Sequence, residues 1–201
     1  MRSSPWKWLV GVAVQVLPGC GDAEVPPPQA RLATYVGAIA ETNADAVVAF
    51  VVGADRAMFY VCGGASTVET HTHWLDGTVH EGVLQLANAG WTATGGIAGD
   101  LATGSVVRDD GESFQWSAHE VGSETIAGLY ATVDSGCRTG VVVTQDSAAA
   151  EPWMQGSWCN ESGTRMQVTP ILPIELTTSG IEVQVLLDSG ARRLEVQPVR
   201  Y

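Results

Sequence analysis

Cysteines at metal-binding spacing are missing from this 201-residue chain. Cys20, Cys62, Cys137 and Cys159 stand far apart, whereas a cysteine cluster places ligands about two to four residues from one another. Helical periodicity is missing as well, and its absence argues against a helical domain. Charge is scarce at 16% of residues and strongly one-signed, with 10 basic against 22 acidic side chains and a net charge of -12. So acidic a surface repels phosphate backbones, and no basic patch offsets it, which excludes nucleic acid as an expected partner. No G-x-S-x-G elbow marks a hydrolase nucleophile. Gly95, Gly96 and Gly99 lie between short strand-like runs with no helix after them, so they form neither a phosphate loop nor a dinucleotide fingerprint. No cofactor is expected. What the chain does have is 45% hydrophobic residues and 23 glycines, the composition of a globular protein made of short strands and tight turns.

The beginning reads as a processing signal. Arg2 and Lys7 precede an apolar run over residues 9–17 that only Gln15 interrupts. That run is far shorter than the roughly 20 residues of a membrane-spanning helix and matches the apolar region of a secretory signal. Leu17, Gly19 and Cys20 then resemble the lipobox of bacterial lipoproteins, although Pro18 departs from its usual residue. The resemblance implies that residues 1–19 are removed, that Cys20 receives lipid, and that the protein is anchored in the cell envelope by that lipid. Residues 20–31, with Pro26-Pro27-Pro28, read as a stiff tether, because proline-rich segments are extended and cannot fill a core. Loss of the two leader cations takes the mature chain to a net charge of about -14.

Period-2 alternation recurs through the remainder. Phe114, Trp116 and Ala118 share one face of "SFQWSAHE"; Ile181, Val183 and Val185 share one face of "GIEVQVLL"; Leu194 and Val196 do so near the end. Such alternation marks strands with one face in a core and one in water. "DAVVAFVVG" is apolar on both faces and predicts a more deeply buried strand. "GAD", "CGGA", "LDG", "NAG", "AGD", "DDG" and "DSG" supply turn chemistry about every ten residues. The expected fold is all-β, a small up-and-down β-barrel or sandwich of short antiparallel strands. Residues 32–136 read as a barrel-like unit, and residues 137–201 as further strands that extend it or form a small second sheet. The seam is expected at "DSAAAEPW", and the whole is read as one domain.

The order "YVGAIAETNADAVVAFVV … YVCGG … W-x-x-G … GLY" resembles a domain of bacterial secreted proteins and lipoproteins with no settled activity. The resemblance covers about half the chain and rests on glycines and aromatics. It implies a small barrel and an extracytoplasmic compartment, and it carries over no catalytic residue.

Outside the cytoplasm a cysteine pair would oxidise. With Cys20 lipidated, three pairings remain open among Cys62, Cys137 and Cys159. Cys137–Cys159 is favoured because the two flank a candidate hairpin, while Cys62 suits a buried strand. Chemistry could hide in "ETHTHWLDGTVHEG", where His71 and His73, with Glu69 or His80, offer imidazoles for zinc or copper. The preferred reading is a polar strand face in water. Trp91 and Trp116 are expected to fill the core, and Trp153 and Trp158 to stand where they could face a ligand. Three function classes follow. The leading one is a non-catalytic envelope lipoprotein that binds an unknown envelope protein or ligand. The alternatives are a lipocalin-like carrier, which requires a hollow interior, and a metal-dependent or hydrolytic enzyme, which requires converging polar groups.

Overall fold

A computed structural model describes residues 32–40, 45–134 and 136–201. The signal segment, the tether and Cys20 lie outside the described residues. Every regular element among them is an antiparallel strand, and the strands close into two barrels. The first is built from β1 (Ala33–Ile39), β2 (Val47–Val52), β3 (Arg56–Cys62), β4 (His73–His80), β5 (Val83–Asn88), β6 (Trp91–Ala98), β7 (Leu101–Val107) and β8 (Ser113–Glu120). They run up and down in sequence order, and β8 pairs back onto β1 with Ala38 opposite Ser117. The second comprises β9 (Gly128–Asp134), β10 (Cys137–Thr144), β11 (Trp153–Cys159), β12 (Arg165–Pro170), β13 (Ile181–Leu187) and β14 (Gly190–Pro198), with β14 returning to β9.

The division between the barrels differs from the sequence expectation in two ways. The crossover is at residues 121–127, not at "DSAAAEPW", which is only the β10–β11 loop. The "GLY" strand β9 opens the second barrel, pairing with β10 and β14, and does not close the first. Turn residues locate where a strand ends, but a closing strand is chosen by pairing, and Tyr35 to Ile39 are already paired by β8.

Hairpin geometry explains the tight winding of the first barrel. Glu81-Gly82 and Ala89-Gly90 both take positive φ, which two-residue turns of the primed type demand because their twist matches that of the strands. "LDG" is not a turn: Leu75 is buried within β4 beside an exposed Asp76.

Alternation sends one face of each strand into a packed lumen. Phe50, Phe59 and Trp116 meet at the centre of the first barrel, with Trp116 ring centroids 5.7 Å from Phe50 and 5.2 Å from Phe59, and Tyr35 stacks on Phe50 at 4.7 Å. The indole has room because Gly95 and Gly104 pair across β6 and β7. A Cβ at either glycine would come within 2.5 or 2.6 Å of the Trp116 ring. Aromatic pairs of this kind add about 0.5–1.5 kcal/mol each beyond their burial. Trp91 is buried in the same core. The second lumen is filled by Tyr130, Val141, Val143, Trp158, Val183, Val185 and Val196 among others.

The strand that is apolar on both faces has a separate cause. Val48, Phe50 and Val52 of β2 point into the first lumen, while Val47, Ala49 and Val51 point outward into a third cluster with Tyr60, Cys62, Leu129 and Val142. That cluster joins the barrels. Polar groups inside the joint are paired, as burial requires: the Tyr60 hydroxyl donates to Gly140 O at 3.2 Å, and Gln155 Nε2 donates to Cys62 O at 2.7 Å and Asp45 O at 3.1 Å. Cys137 and Cys159 are bonded, with Cα atoms 5.6 Å apart, and Cys62 is free and fully buried. Burial pushes the Cys62 thiol up to about 12, so it is a hydrophobe with little thiolate character.

Candidate binding clefts

The histidines do not come together. β4 begins at His73, so His71 lies in the preceding bend and the two do not share a strand face. His71 Nδ1 is 2.8 Å from Thr70 Oγ1, and its ring meets Phe114 edge-on at 5.2 Å. His73 has the inward parity of Leu75 rather than a solvent-facing one. It stacks on Trp91 at 4.9 Å, and its Nε2–H donates to Asn88 O at 3.1 Å. His80 is exposed at the far end of β4, roughly 23 Å along the strand from His73 at about 3.3 Å per residue. Among the described residues no group of three His, Cys, Asp or Glu side chains could hold a metal. Burial lowers the pKa of His73, and burial with Arg108 nearby lowers that of His71. Both rings thus serve as neutral packing groups at the rim of the first barrel.

The two tryptophans expected at a ligand face part company. Trp158 is buried in the second lumen, where Nε1 donates to Asp134 Oδ2 at 2.9 Å. Trp153, on the same strand but of opposite parity, is 51% exposed. The segment is a strand, and strand parity decides which side each ring takes.

Concavities occur outside the lumens, where the barrels meet. One is a cleft of about 960 Å³. Its floor is the outward face of β1 and β2, with Val36, Ala38 and Val47, and its walls are β8, the 121–127 crossover and the loop after β10. Gln145 ties two of those walls together: its Oε1 accepts from Ile126 N at 2.9 Å and its Nε2 donates to Ala150 O at 2.8 Å. Glu120, Glu124 and Asp146 stand on the rim, with His119 beside them. Such a cleft offers apolar contact below and negative potential above.

A second cleft, of about 390 Å³, has the opposite character. It gathers Arg138 and Arg165 from the second barrel opposite His73, Trp74, Asp76 and Asn88 of the first. The arginines sit on β10 and β12, either side of β11. Cys159 is registered with Arg165, and continuing the Gly140–Ser157 ladder sets Arg138 beside Cys159, so all three side chains leave the same face of the sheet. Trp74 holds Arg138 in two ways. The guanidinium lies over the indole, 5.1 Å from its centroid, and Trp74 Nε1 donates to Arg138 O at 3.3 Å. Trp74 is in turn fixed against Tyr60, ring centroids 4.3 Å apart, over Gly140, where a Cβ would strike both rings. Arg138 Nη1 also reaches Met58 Sδ at 3.2 Å, and Arg165 Nη1 reaches Glu69 O at 3.5 Å. Among the described residues Arg108 and Arg192 form ion pairs with carboxylates, whereas Arg138 and Arg165 form none. Nothing in the sequence flagged these two: each is a lone cation in a strand, and only the pairing of β10, β11 and β12 brings them into one row.

The chain matches no protein-family model, no curated protein and no solved structure.

Proposed function

We propose that the protein is a non-catalytic binding module of the bacterial cell envelope, exported, tethered through lipid on Cys20, and engaging its partner on the outside of the double barrel. The observation that carries this reading is the packed first lumen. A lipocalin-like carrier needs an empty interior, and here Phe50, Phe59 and Trp116 fill it. A metal-dependent enzyme needs imidazoles that converge, and His71, His73 and His80 are engaged or exposed at separate places. The 960 Å³ cleft remains as a candidate surface, within the usual size range for ligand sites of about 300–1,000 Å³. Its acidic rim favours a partner that presents an apolar segment flanked by positive charge. Leu32, the first described residue, lines the adjoining hollow beside Val121 and Glu124.

A photo-crosslinking residue at Ser117, in the cleft, and another at Thr92, on a distant strand of the first barrel, test the reading in intact cells. A discrete crosslinked partner is expected from Ser117 only, with a mature chain that begins at a lipid-modified Cys20. An unmodified Cys20 in the mature protein, or equal crosslinking from both positions, contradicts it.

A further inference from the structure

We propose that the smaller cleft between the barrels is a binding site for a small soluble oxyanion, a compound bearing a phosphate or carboxylate group held jointly by Arg138 and Arg165. The inference is independent of the tether and of the larger cleft. It starts from charge. Acids outnumber bases by 22 to 10 in this chain, and among the described residues Arg108 and Arg192 pair with carboxylates. Arg138 and Arg165 are instead set in one concave row. Their Cα atoms are two strand spacings apart, about 9.6 Å, a span across which two arginine arms reach a common ligand. Like charges drawn together without a counter-ion repel, and an anion between them relieves that repulsion.

The donors are positioned in advance. Arg138 is clamped by Trp74, which is itself seated on Tyr60. Its side-chain contact with Met58 is to a thioether sulfur, a weak acceptor. Arg165 gives one long bond to a backbone carbonyl. A guanidinium has five N–H donors in a fork that fits carboxylate or phosphate oxygens, so most of the donors in this pair are unused by these contacts. Asp76 is the one carboxylate in the lining; it is registered opposite Met58 near Arg138, and it forms no ion pair with either arginine.

Size and surroundings narrow the ligand. A cleft of 390 Å³ is at the small end of ligand sites. The net charge of the chain repels extended anionic surfaces, membranes and nucleic acids alike. A small molecule enters where a charged surface is turned away.

The test uses the full-length chain, titrated with sodium phosphate and with sodium malonate at ionic strength held constant by sodium chloride. Melting temperature and tryptophan fluorescence are followed. At least one anion is expected to raise the melting temperature saturably. Arg138→Gln and Arg165→Gln should each weaken that response about tenfold, the scale for loss of a charged hydrogen bond, and Arg193→Gln on the far exposed strand should not. Arg165→Gln keeps the Trp74 stack intact, so it decides the matter if Arg138→Gln unfolds. Phosphatidylglycerol vesicles should not retain the Cys20→Ala chain. The proposal is overturned if neither anion acts beyond chloride, if Arg165→Gln responds like wild type, or if the vesicles bind the chain while both soluble anions are without effect.

Discussion

The two barrels are closed with very different security. Each seam of the first is a ladder of five or more registered pairs, seven between β6 and β7 and five at the closing β1–β8 seam. The second closes through two pairs between β14 and β9, with three between β11 and β12 and three between β12 and β13. Its longer ladders, β9–β10 and β13–β14, are hairpins of sequence neighbours. The first lumen is centred on stacked aromatics; the second is mainly aliphatic, with valine prominent. One barrel is held by its own strands, and the other leans on additions: the Cys137–Cys159 bond and the apolar joint against β2 and β3. Closed topology alone says little about local stability, which follows the number of buried contacts and paired strands at each seam.

The largest way to break the contrast is at the centre of the first barrel. Trp116→Ala removes the ring that touches Phe50 and Phe59 and leaves a void over Gly95 and Gly104. A loss of about 3–5 kcal/mol is expected in denaturant unfolding, as for other buried aromatics. Because the second barrel leans on the first, both should unfold together.

Loss of the disulfide should act from the other side. Its cysteines are 22 residues apart, and chain entropy assigns such a closure about 3 kcal/mol. Cys137→Ser with Cys159→Ser should lower the melting temperature and loosen the second barrel first. Cys62 should react with a thiol reagent only once the chain is unfolded, since it is fully buried and its thiol is pushed up to about 12.

At the joint, Tyr60→Phe removes the hydroxyl that donates to Gly140 O. Loss of one such hydrogen bond costs about 0.5–1.5 kcal/mol, expected here as a lower melting temperature with unchanged circular dichroism.

The smallest effect belongs to His73. Burial lowers its folded pKa below the ordinary 6.5, so in that window the unfolded chain binds a proton the folded chain does not. The contribution to stability is therefore full above pH 6.5 and falls as pH drops through 6.5 toward the folded value. His73→Gln should flatten a melting profile taken between pH 7.5 and 5.5, and leave the value at pH 7.5 nearly unchanged.

Much of the architecture was legible. Alternation in β8, β13 and β14 marks the inward residues, and Trp116, Ile181, Val183 and Val196 are all buried. The doubly apolar β2 was legible as a buried strand, but what covers its outer face was not, because Leu129 and Val142 are long-range neighbours. Barrel membership was misread for the same reason: "GLYAT" is an equally good closing strand for either barrel until its partners are known. The histidines misled because residue spacing implies a shared face only inside one strand, and β4 starts at His73. The arginine row was illegible, since Arg138 and Arg165 meet only across β11.

Hydrogen exchange read by mass spectrometry, with the Cys137–Cys159 bond intact and then reduced, tests the two-barrel account most directly. Reduction is expected to speed exchange in Gly128–Asp134 together with β10 to β14, while β1 and β8 keep their protection. If Gly128–Asp134 instead keeps the protection of β1 and β8 while β10 to β14 open, the division at residues 121–127 is wrong.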